Sequence, residues 1–332
     1  MVIKYLISAI GGLIVSVAAM TAAQAADKVI IATYGDPIPA QMAAHDGKFA
    51  TATGWDVEWR KFNSGADVIA AMASGDVSIA ELGSSPLAIA ATQGVDLQVF
   101  MIDYVIGKAE SLIVRDGSGI KSLADLKGKR IAVPIGSTSH FSLMGALKHA
   151  GISENDLTIL NMSPDQIAAA WQQSAIDAAF VWPPAQTEIL KTGKRLVGAD
   201  EVAAWGYPTF NAWVVNKKFA QSHEKSLVAF MRTVEDANQA YLKHPSAWTA
   251  DSAPVKTIAA ETGAAAAQVP EIIKGYTFLP LADQVKAQWM GGALSKTIKA
   301  TAEFLLSAGR LSQVSNDYSS FVTVKYLKEA LH

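Results

Sequence analysis

The feature that most constrains the fold is an alternation of strand and helix patterns that runs along the chain and then starts again. Apolar segments such as residues 29–33 and 77–82 read as strands, and segments with apolar residues at helical spacing separate them. The order begins again after residue 114, and the segment 73–80 has a counterpart at 173–179. The alternation predicts an α/β fold with parallel-rich sheets flanked by helices, and the repetition predicts two similar lobes.

The C-terminal part of the chain, where the alternation of strands and helices stops, predicts how the two lobes are connected. The last clear strand pattern covers residues 212–215, and the chain beyond it is almost wholly helical, with one long helical run at residues 283–308. We expect this tail to pack on the first lobe, so that residues 26–114 and 213–332 form lobe 1 and residues 115–212 form lobe 2. The chain then passes between the lobes twice, and two crossings make a hinge with a cleft.

The first 25 residues have the composition of a secretory signal peptide. Lys4 is followed by an apolar stretch from residue 5 to residue 20, and Ala23-Gln24-Ala25 is a small-x-small cleavage site. We therefore expect cleavage near Ala25 and an exported product; a membrane anchor is the alternative. The sequence has no cysteine, so an exported chain must be stabilised by its core without disulfides.

Composition and motifs narrow the class of function. The formal net charge is −2 and charges of both signs are interspersed, which does not favour a nucleic-acid or membrane-surface partner. The sequence lacks the G-x-S-x-G, H-E-x-x-H and G-x-x-x-x-G-K-[ST] motifs, and its six histidines show no metal-ligand spacing. We expect a monomeric binding protein with no cofactor and no metal. A periplasmic enzyme on the same fold is the alternative from another class.

The candidate ligand site lies where the predicted strands end, because open parallel sheets bind ligands beyond the carboxyl ends of their strands. The strand at residues 130–133 leads into three hydroxyl residues, Ser137, Thr138 and Ser139, at the start of a helix whose free N–H groups favour an anion. An acid or an aromatic face would hold a cationic group. The predicted ligand-binding residues are Tyr34, Asp36, Ser84, Ser85, Asp103, Glu110, Ser137, Thr138, Ser139, Trp182, Trp205 and Asn211. The alternatives are helix capping for the hydroxyls and interlobe packing for the tryptophans.

Several stretches resemble one family of transport proteins. Residues 122–134 are similar to the segment that opens the second lobe in periplasmic solute-binding proteins of ABC importers, and similar stretches such as 59–66, 82–88 and 167–172 span nearly all of the mature chain. More narrowly, the chain resembles the taurine and aliphatic-sulfonate solute-binding family. The resemblance implies a two-lobed type II periplasmic binding protein that binds taurine or a similar small sulfonate and delivers it to an inner-membrane ABC permease. Another small anionic or zwitterionic solute is the alternative ligand.

One position departs from the pattern of that family. The family carries an acid in the loop before the last strand, suited to an ammonium group, whereas this chain has the neutral amide Asn211. If the ligand bears an amine, another acid must supply the charge. Asp36 and Asp103 are the candidates, because each follows the end of a predicted strand, and Asp36 follows the first strand directly.

Overall fold

The computed structural model describes residues 26–332, so the predicted signal peptide lies outside the described residues. The described chain forms two sheets. Six strands make up the sheet of lobe 1: β1 (Lys28–Thr33), β2 (Asp56–Lys61), β3 (Ile79–Gly83), β4 (Leu97–Ile106), β10 (Phe210–Asn216) and β11 (Tyr276–Thr277). Five make up the sheet of lobe 2: β5 (Ser111–Arg115), β6 (Arg130–Val133), β7 (Thr158–Asn161), β8 (Ala178–Val181) and β9 (Gly193–Gly198).

Helices cover both sheets. They are α1 (Pro39–His45), α2 (Lys48–Thr53), α3 (Gly65–Ala73), α4 (Ser84–Thr92), α5 (Thr138–His149), α6 (Pro164–Gln172), α7 (Ala185–Ile189), α8 (Ala199–Ala204), α9 (Lys217–Ser222), α10 (Glu224–Lys243), α11 (Ala253–Thr262), α12 (Val269–Lys274), α13 (Leu281–Gln284), α14 (Ala293–Ser307) and α15 (Lys325–Ala330). Among the described residues, no helix has the length and apolar character needed to cross a bilayer. The prediction of a single helix over residues 283–308 is wrong, because this segment contains the end of α13 and the separate helix α14. It is divided before α14 at Gly291, where a Cβ would lie 2.2 Å from the carbonyl oxygen of Val285.

Both sheets are mixed, which corrects the expectation of parallel-rich sheets. β1 runs parallel to β2 and β3, and β6 runs parallel to β7 and β8. β10 is antiparallel to β3 and β4, and β5 is antiparallel to β8 and β9. The antiparallel pairs arise because the chain passes between the two lobes twice. Strands β3 and β8 run toward the cleft, whereas β5 and β10 enter their sheets from the other lobe and therefore run away from it. The two-lobed α/β architecture itself is confirmed.

The chain changes sheet in residues 107–110, between β4 and β5, and in residues 205–209, between α8 and β10. The predicted boundaries at 114 and 212 fall inside β5 and β10, because the strand patterns of the sequence do not reveal at which strand the chain changes sheet. Two short crossings, held together by a hydrogen bond from the Ile106 N–H to the Thr209 carbonyl (3.0 Å), therefore connect the lobes.

The helical tail packs mainly on lobe 1, as the sequence predicts. α10 packs against α1 and α2, and α15 packs against β4. α14 packs against α4 and also reaches lobe 2, where the ring of Phe304 lies 4.8 Å from that of Phe141. Central strands such as β3 and β8 are buried along their whole length. Their rigid carboxyl ends face the cleft, and the loops that follow them form its walls.

Candidate functional site

A cavity of about 410 Å³, including the space at its mouth, lies between the lobes. Lobe 1 contributes the loop after β1, the first turns of α3 and α4, and the ends of β4 and β10. Lobe 2 contributes the start of α5 and the loop after β8, and the first crossing supplies Glu110. The lining residues are Tyr34, Asp36, Gly65, Gly83, Pro86, Tyr104, Ile106, Glu110, Ser137, Thr138, Trp182, Asn211 and Tyr276.

The N-termini of three helices lie at the wall of the cavity. α3 begins at Gly65, α4 begins after its N-cap Gly83, and α5 begins after Ser137, whose hydroxyl accepts the His140 N–H at 3.1 Å. Helix N-termini carry free N–H groups and partial positive charge. Their convergence from both lobes provides an anion-binding end without a cationic side chain.

Two glycines permit this convergence. A Cβ on Gly65 would lie 2.5 Å from the Cβ of Pro86, and a Cβ on Gly83 would lie 2.8 Å from the Thr138 methyl group across the cleft. Both distances are shorter than real Cβ contacts. The absence of a side chain at these positions lets the helix starts, and through Gly83 the lobes, approach each other.

Asp36 lies in the same cavity and is almost fully buried. It accepts a hydrogen bond from the Tyr104 hydroxyl at 2.5 Å, and the Tyr104 oxygen accepts one from the Asn211 side-chain amide at 2.5 Å. Burial raises the pKa of Asp36 to about 6, while the Tyr104 hydrogen bond and the Lys61 ammonium lower it. The Asn211–Tyr104–Asp36 chain therefore fixes one carboxylate against the cavity.

Glu110 supplies a second carboxylate from the first crossing. The Thr138 hydroxyl donates a hydrogen bond to its Oε1 at 2.5 Å, whereas its Oε2 is buried and has no hydrogen-bond partner among the described residues. Burial raises the pKa of Glu110 to about 7, and the hydroxyls of Thr138 and Ser139 lower it. No described residue that lines the cavity is Lys, Arg or His. The cavity therefore has an acidic part with unused acceptor capacity.

Comparison with known proteins agrees with this architecture. Residues 36–248 match the family described as NMT1/THI5 like. The chain belongs to this family. It is 42% identical to the taurine-binding periplasmic protein of Escherichia coli (strain K12) over 300 residues, which cover 90% of this chain and 92% of that protein. The resemblance to the taurine and aliphatic-sulfonate binding proteins is therefore confirmed.

Solved structures show the same fold at low sequence identity. The alkanesulfonate-binding protein SsuA from Xanthomonas axonopodis pv. citri, bound to MOPS, superposes with a TM-score of 0.74 at 21% identity and covers 90% of this chain and 98% of that one. The desulfurization enzyme DSZB superposes with a TM-score of 0.65 at 17% identity and covers 92% of this chain and 99% of that one. The fold of this NMT1/THI5-like chain thus occurs both in a binding protein and in an enzyme.

The structure brings seven of the twelve predicted residues to the cavity wall of this family member. They are Tyr34, Asp36, Glu110, Ser137, Thr138, Trp182 and Asn211. Asp36 and Glu110 both reach the cavity although they lie on different segments, the loop after β1 and the first crossing. The arrangement gives the site acidic groups on lobe 1 and at the crossing, and hydroxyl groups on lobe 2.

The other five predicted residues do not line the cavity. Ser84 accepts the Phe210 N–H at 3.4 Å, and Ser85 donates to the Gly136 carbonyl of lobe 2 at 3.1 Å. Trp205 stacks on the His149 ring with centroids 3.9 Å apart, which occupies one face of its indole. Two further residues of this group, Ser139 and Asp103, are fully buried outside the lining.

Six lining residues were not predicted from the sequence: Gly65, Gly83, Pro86, Tyr104, Ile106 and Tyr276. Tyr104 follows Asp103 directly, yet the tyrosine lines the cavity and the aspartate does not. The pairing of β4 with β10 is irregular at Asp103, so simple alternation along the strand could not have indicated this. Tyr276 lies on the two-residue strand β11, with its ring 4.3 Å from that of Tyr104. So short a strand within a helical tail carries no sequence signal.

Proposed function

We propose that this chain is the periplasmic solute-binding component of an ABC importer and that it binds taurine, or a similar small amine-bearing sulfonate, between its lobes. The family membership and the 42% identity to a taurine-binding periplasmic protein support the class of function. The charge distribution of the cavity carries the ligand assignment. Three helix N-termini and two buried carboxylates line the same cavity, without a cationic side chain among the described lining residues.

The proposed pose follows from this distribution. The sulfonate oxygens accept hydrogen bonds from the free N–H groups in the first turns of α4 and α5, and the ammonium group lies against Asp36 and Glu110. A sulfonate without an amine would leave both carboxylates without a counter-charge, whereas a zwitterion matches both ends. The acid that replaces the charge missing at Asn211 is then Asp36, aided by Glu110, rather than Asp103.

Asn211 has a supporting role in this proposal. Its amide donates to the Tyr104 oxygen, so the Tyr104 proton is free to point at Asp36. The hydroxyl thereby stabilises the charged form of the carboxylate that faces the ammonium group. Because Asn211 is neutral, the ligand is surrounded by less negative charge than it would be if position 211 carried an acid.

Ligand entry requires the lobes to separate. Contacts across the cleft, such as that between the Ser85 hydroxyl and the Gly136 carbonyl, close the cavity in this structure. Rotation about the two crossings would open it, and closure on a ligand would present both lobes together to a membrane permease. We propose that the chain does this as a monomer in the periplasm.

We propose further that the chain binds its ligand without converting it. The fold alone does not decide this, because DSZB has the same fold. The sequence contains no cysteine, and within the described chain the cavity lining contains no histidine. A cysteine nucleophile and a histidine base are therefore both missing from the described cavity wall. Mass spectrometry of taurine recovered after incubation with the protein tests this point, and a changed mass would contradict it.

The direct test is isothermal titration calorimetry at pH 8 with taurine, ethanesulfonate and β-alanine, in buffers that lack a sulfonate group. Ethanesulfonate retains the anion and lacks the amine, and β-alanine retains the amine and replaces the sulfonate with a carboxylate. We expect taurine to bind most tightly of the three. Equal or tighter binding of ethanesulfonate would overturn the assignment of an amine-bearing ligand.

A further inference from the structure

A second layer of buried acids lies behind the cavity. Glu81 on β3 and Asp103 on β4 are almost fully buried, and neither lines the cavity. Both interact electrostatically with Asp36, which does line it. Together with Glu110, the cluster contains four carboxyl groups, although the proposed ligand carries a single positive charge.

Glu81 is connected to the ligand-facing loop by direct hydrogen bonds. Its Oε2 accepts the Thr33 hydroxyl and the Tyr34 N–H, each at 3.0 Å. The Thr33 oxygen in turn accepts the Gly35 N–H at 3.0 Å. Glu81 thus holds the start of the loop that carries Tyr34 and Asp36 into the cavity, without touching the ligand space itself.

Asp103 lies beside the indole of Trp213, which is the β10 residue paired with Glu81 across the sheet. Neither carboxylate oxygen of Asp103 has a hydrogen-bond partner among the described residues. Burial raises the pKa of Asp103 more than the adjacent Trp213 indole lowers it, and a buried carboxylate without a counter-ion is costly when charged and stable when protonated. The geometry therefore favours a neutral Asp103 in the ligand-free protein.

The groups around the four acids provide little positive charge. The other titratable groups that face them are the phenols of Tyr34, Tyr104 and Tyr276, which burial keeps neutral, and the Lys61 ammonium, which acts on Asp36. Burial, the largest cause in each case, raises the pKa of Asp103 to about 8 and that of Glu81 well above its usual range. The cluster therefore holds protons near neutral pH.

Resting on the proposed function, we propose that the ligand ammonium group exchanges with a proton of this four-acid cluster, and that Glu81 and Asp103, which do not touch the ligand, contribute to its selectivity for a cation. On binding, one carboxyl O–H bond breaks, its electron pair stays on the new carboxylate, and the proton passes to solvent. The ammonium group keeps its own three protons. The buried site thereby gains a negative charge at the moment when a positive charge enters.

The sign of the pH dependence follows from this exchange. The ammonium group lowers the pKa of the acids in the complex, so the complex binds fewer protons than the free protein between the two pKa values. Taurine affinity therefore rises with pH from about 6 to 8, with at most about a tenfold rise per pH unit for one proton released. Ethanesulfonate affinity falls or stays constant over the same range.

Calorimetry measures the exchange directly. Titrations with taurine at pH 7 in phosphate, imidazole and Tris, which differ in ionisation enthalpy, give the number of protons released from the dependence of the observed heat on the buffer. We expect release of about 0.5 to 1 proton with taurine, since one group of the cluster ionises, and none with ethanesulfonate. Taurine binding without proton release would overturn this inference and leave the proposed function intact, whereas absence of taurine binding would remove both.

Two isosteric variants test the inner acids. Glu81→Gln keeps an acceptor for Thr33 and Tyr34, and Asp103→Asn keeps the shape of the side chain, yet each removes one titratable group. We expect each to lower taurine affinity about tenfold at pH 8, the effect of one pKa unit, to reduce the proton count, and to leave ethanesulfonate binding unchanged. Wild-type affinity and proton count in both variants would overturn the role of the inner acids.

Glu235→Gln is the matched control. Glu235 lies on α10, accepts hydrogen bonds from Gln239 and the Leu281 N–H, and has a pKa raised by burial, yet it is remote from the cavity lining. Its replacement should change neither affinity nor proton release. Thermal unfolding establishes whether each variant is folded. If Glu81→Gln does not fold, the result for Asp103→Asn alone tests the role of the inner acids.

Discussion

Replacement of Gly83 by alanine should prevent tight closure of the lobes while leaving each lobe intact. The backbone of Gly83 has φ −67° and ψ 154°, which any residue adopts without strain. The added Cβ, however, would lie 2.8 Å from the Cγ2 of Thr138 on the other lobe and 3.1 Å from the Oδ1 of Asn211. Glycine is therefore required at position 83 because a larger side chain would not fit, and this restriction applies mainly to the closed form.

The magnitude follows from the cost of overpacking. Inserting a methyl group into a packed contact costs about 1–3 kcal/mol. Because the main clash is with a residue across the cleft, this cost falls chiefly on the closed, ligand-bound form. Taurine affinity should therefore fall about 5- to 150-fold, since 1.4 kcal/mol corresponds to tenfold. The melting temperature of the ligand-free protein should fall only slightly, because opening removes the contact with Thr138 and leaves only the weaker one with Asn211 in lobe 1.

Calorimetry with taurine and thermal unfolding without ligand measure the two quantities. The matched rescue is Thr138→Ser, which removes the Cγ2 methyl group and keeps the hydroxyl that donates to Glu110. The Gly83→Ala, Thr138→Ser double variant should recover most of the affinity lost by Gly83→Ala. Wild-type affinity in Gly83→Ala, or an undiminished loss in the double variant, would refute the closure argument.

Three further outcomes are expected. Thr138→Ala removes the hydroxyl that donates to the Glu110 carboxylate and should weaken taurine binding by about 1.5–3 kcal/mol, measured by calorimetry; unchanged affinity would limit Thr138 to a structural role. Tyr104→Phe removes the donor that lowers the pKa of Asp36, so taurine affinity should fall more at pH 6 than at pH 8, and an equal loss at both would contradict this. The ligand-free protein should melt at a lower temperature at pH 9 than at pH 6. Burial raises the pKa of Asp103 to about 8 and that of Glu110 to about 7, and the stability that the neutral acids provide is lost as pH rises through these values. A flat melting profile would exclude that linkage.

The amino-acid sequence by itself determined the class of fold and the region of the site. Strand and helix periodicity is a local property, so two α/β units and the helical tail could be predicted from the pattern of apolar residues. Helix starts are local as well, and the hydroxyl residues after β6 correctly indicated the N-terminus of α5, with Ser137 as its N-cap. Motif similarity along the mature chain identified the family for the same reason.

Only the tertiary structure decided which acids face the cavity and which strands are antiparallel. Asp103 and Tyr104 are neighbours in sequence, but Tyr104 lines the cavity, whereas Asp103, at an irregularity in the pairing of β4 with β10, is buried outside the lining. Glu81 lies within a buried strand and carries no local sign of its bond to the Tyr34 N–H, because the two residues meet only when β3 pairs with β1. The acid cluster is assembled from β3, β4, the loop after β1 and the first crossing. Long-range pairing of these segments, rather than any local pattern, places four carboxyl groups together.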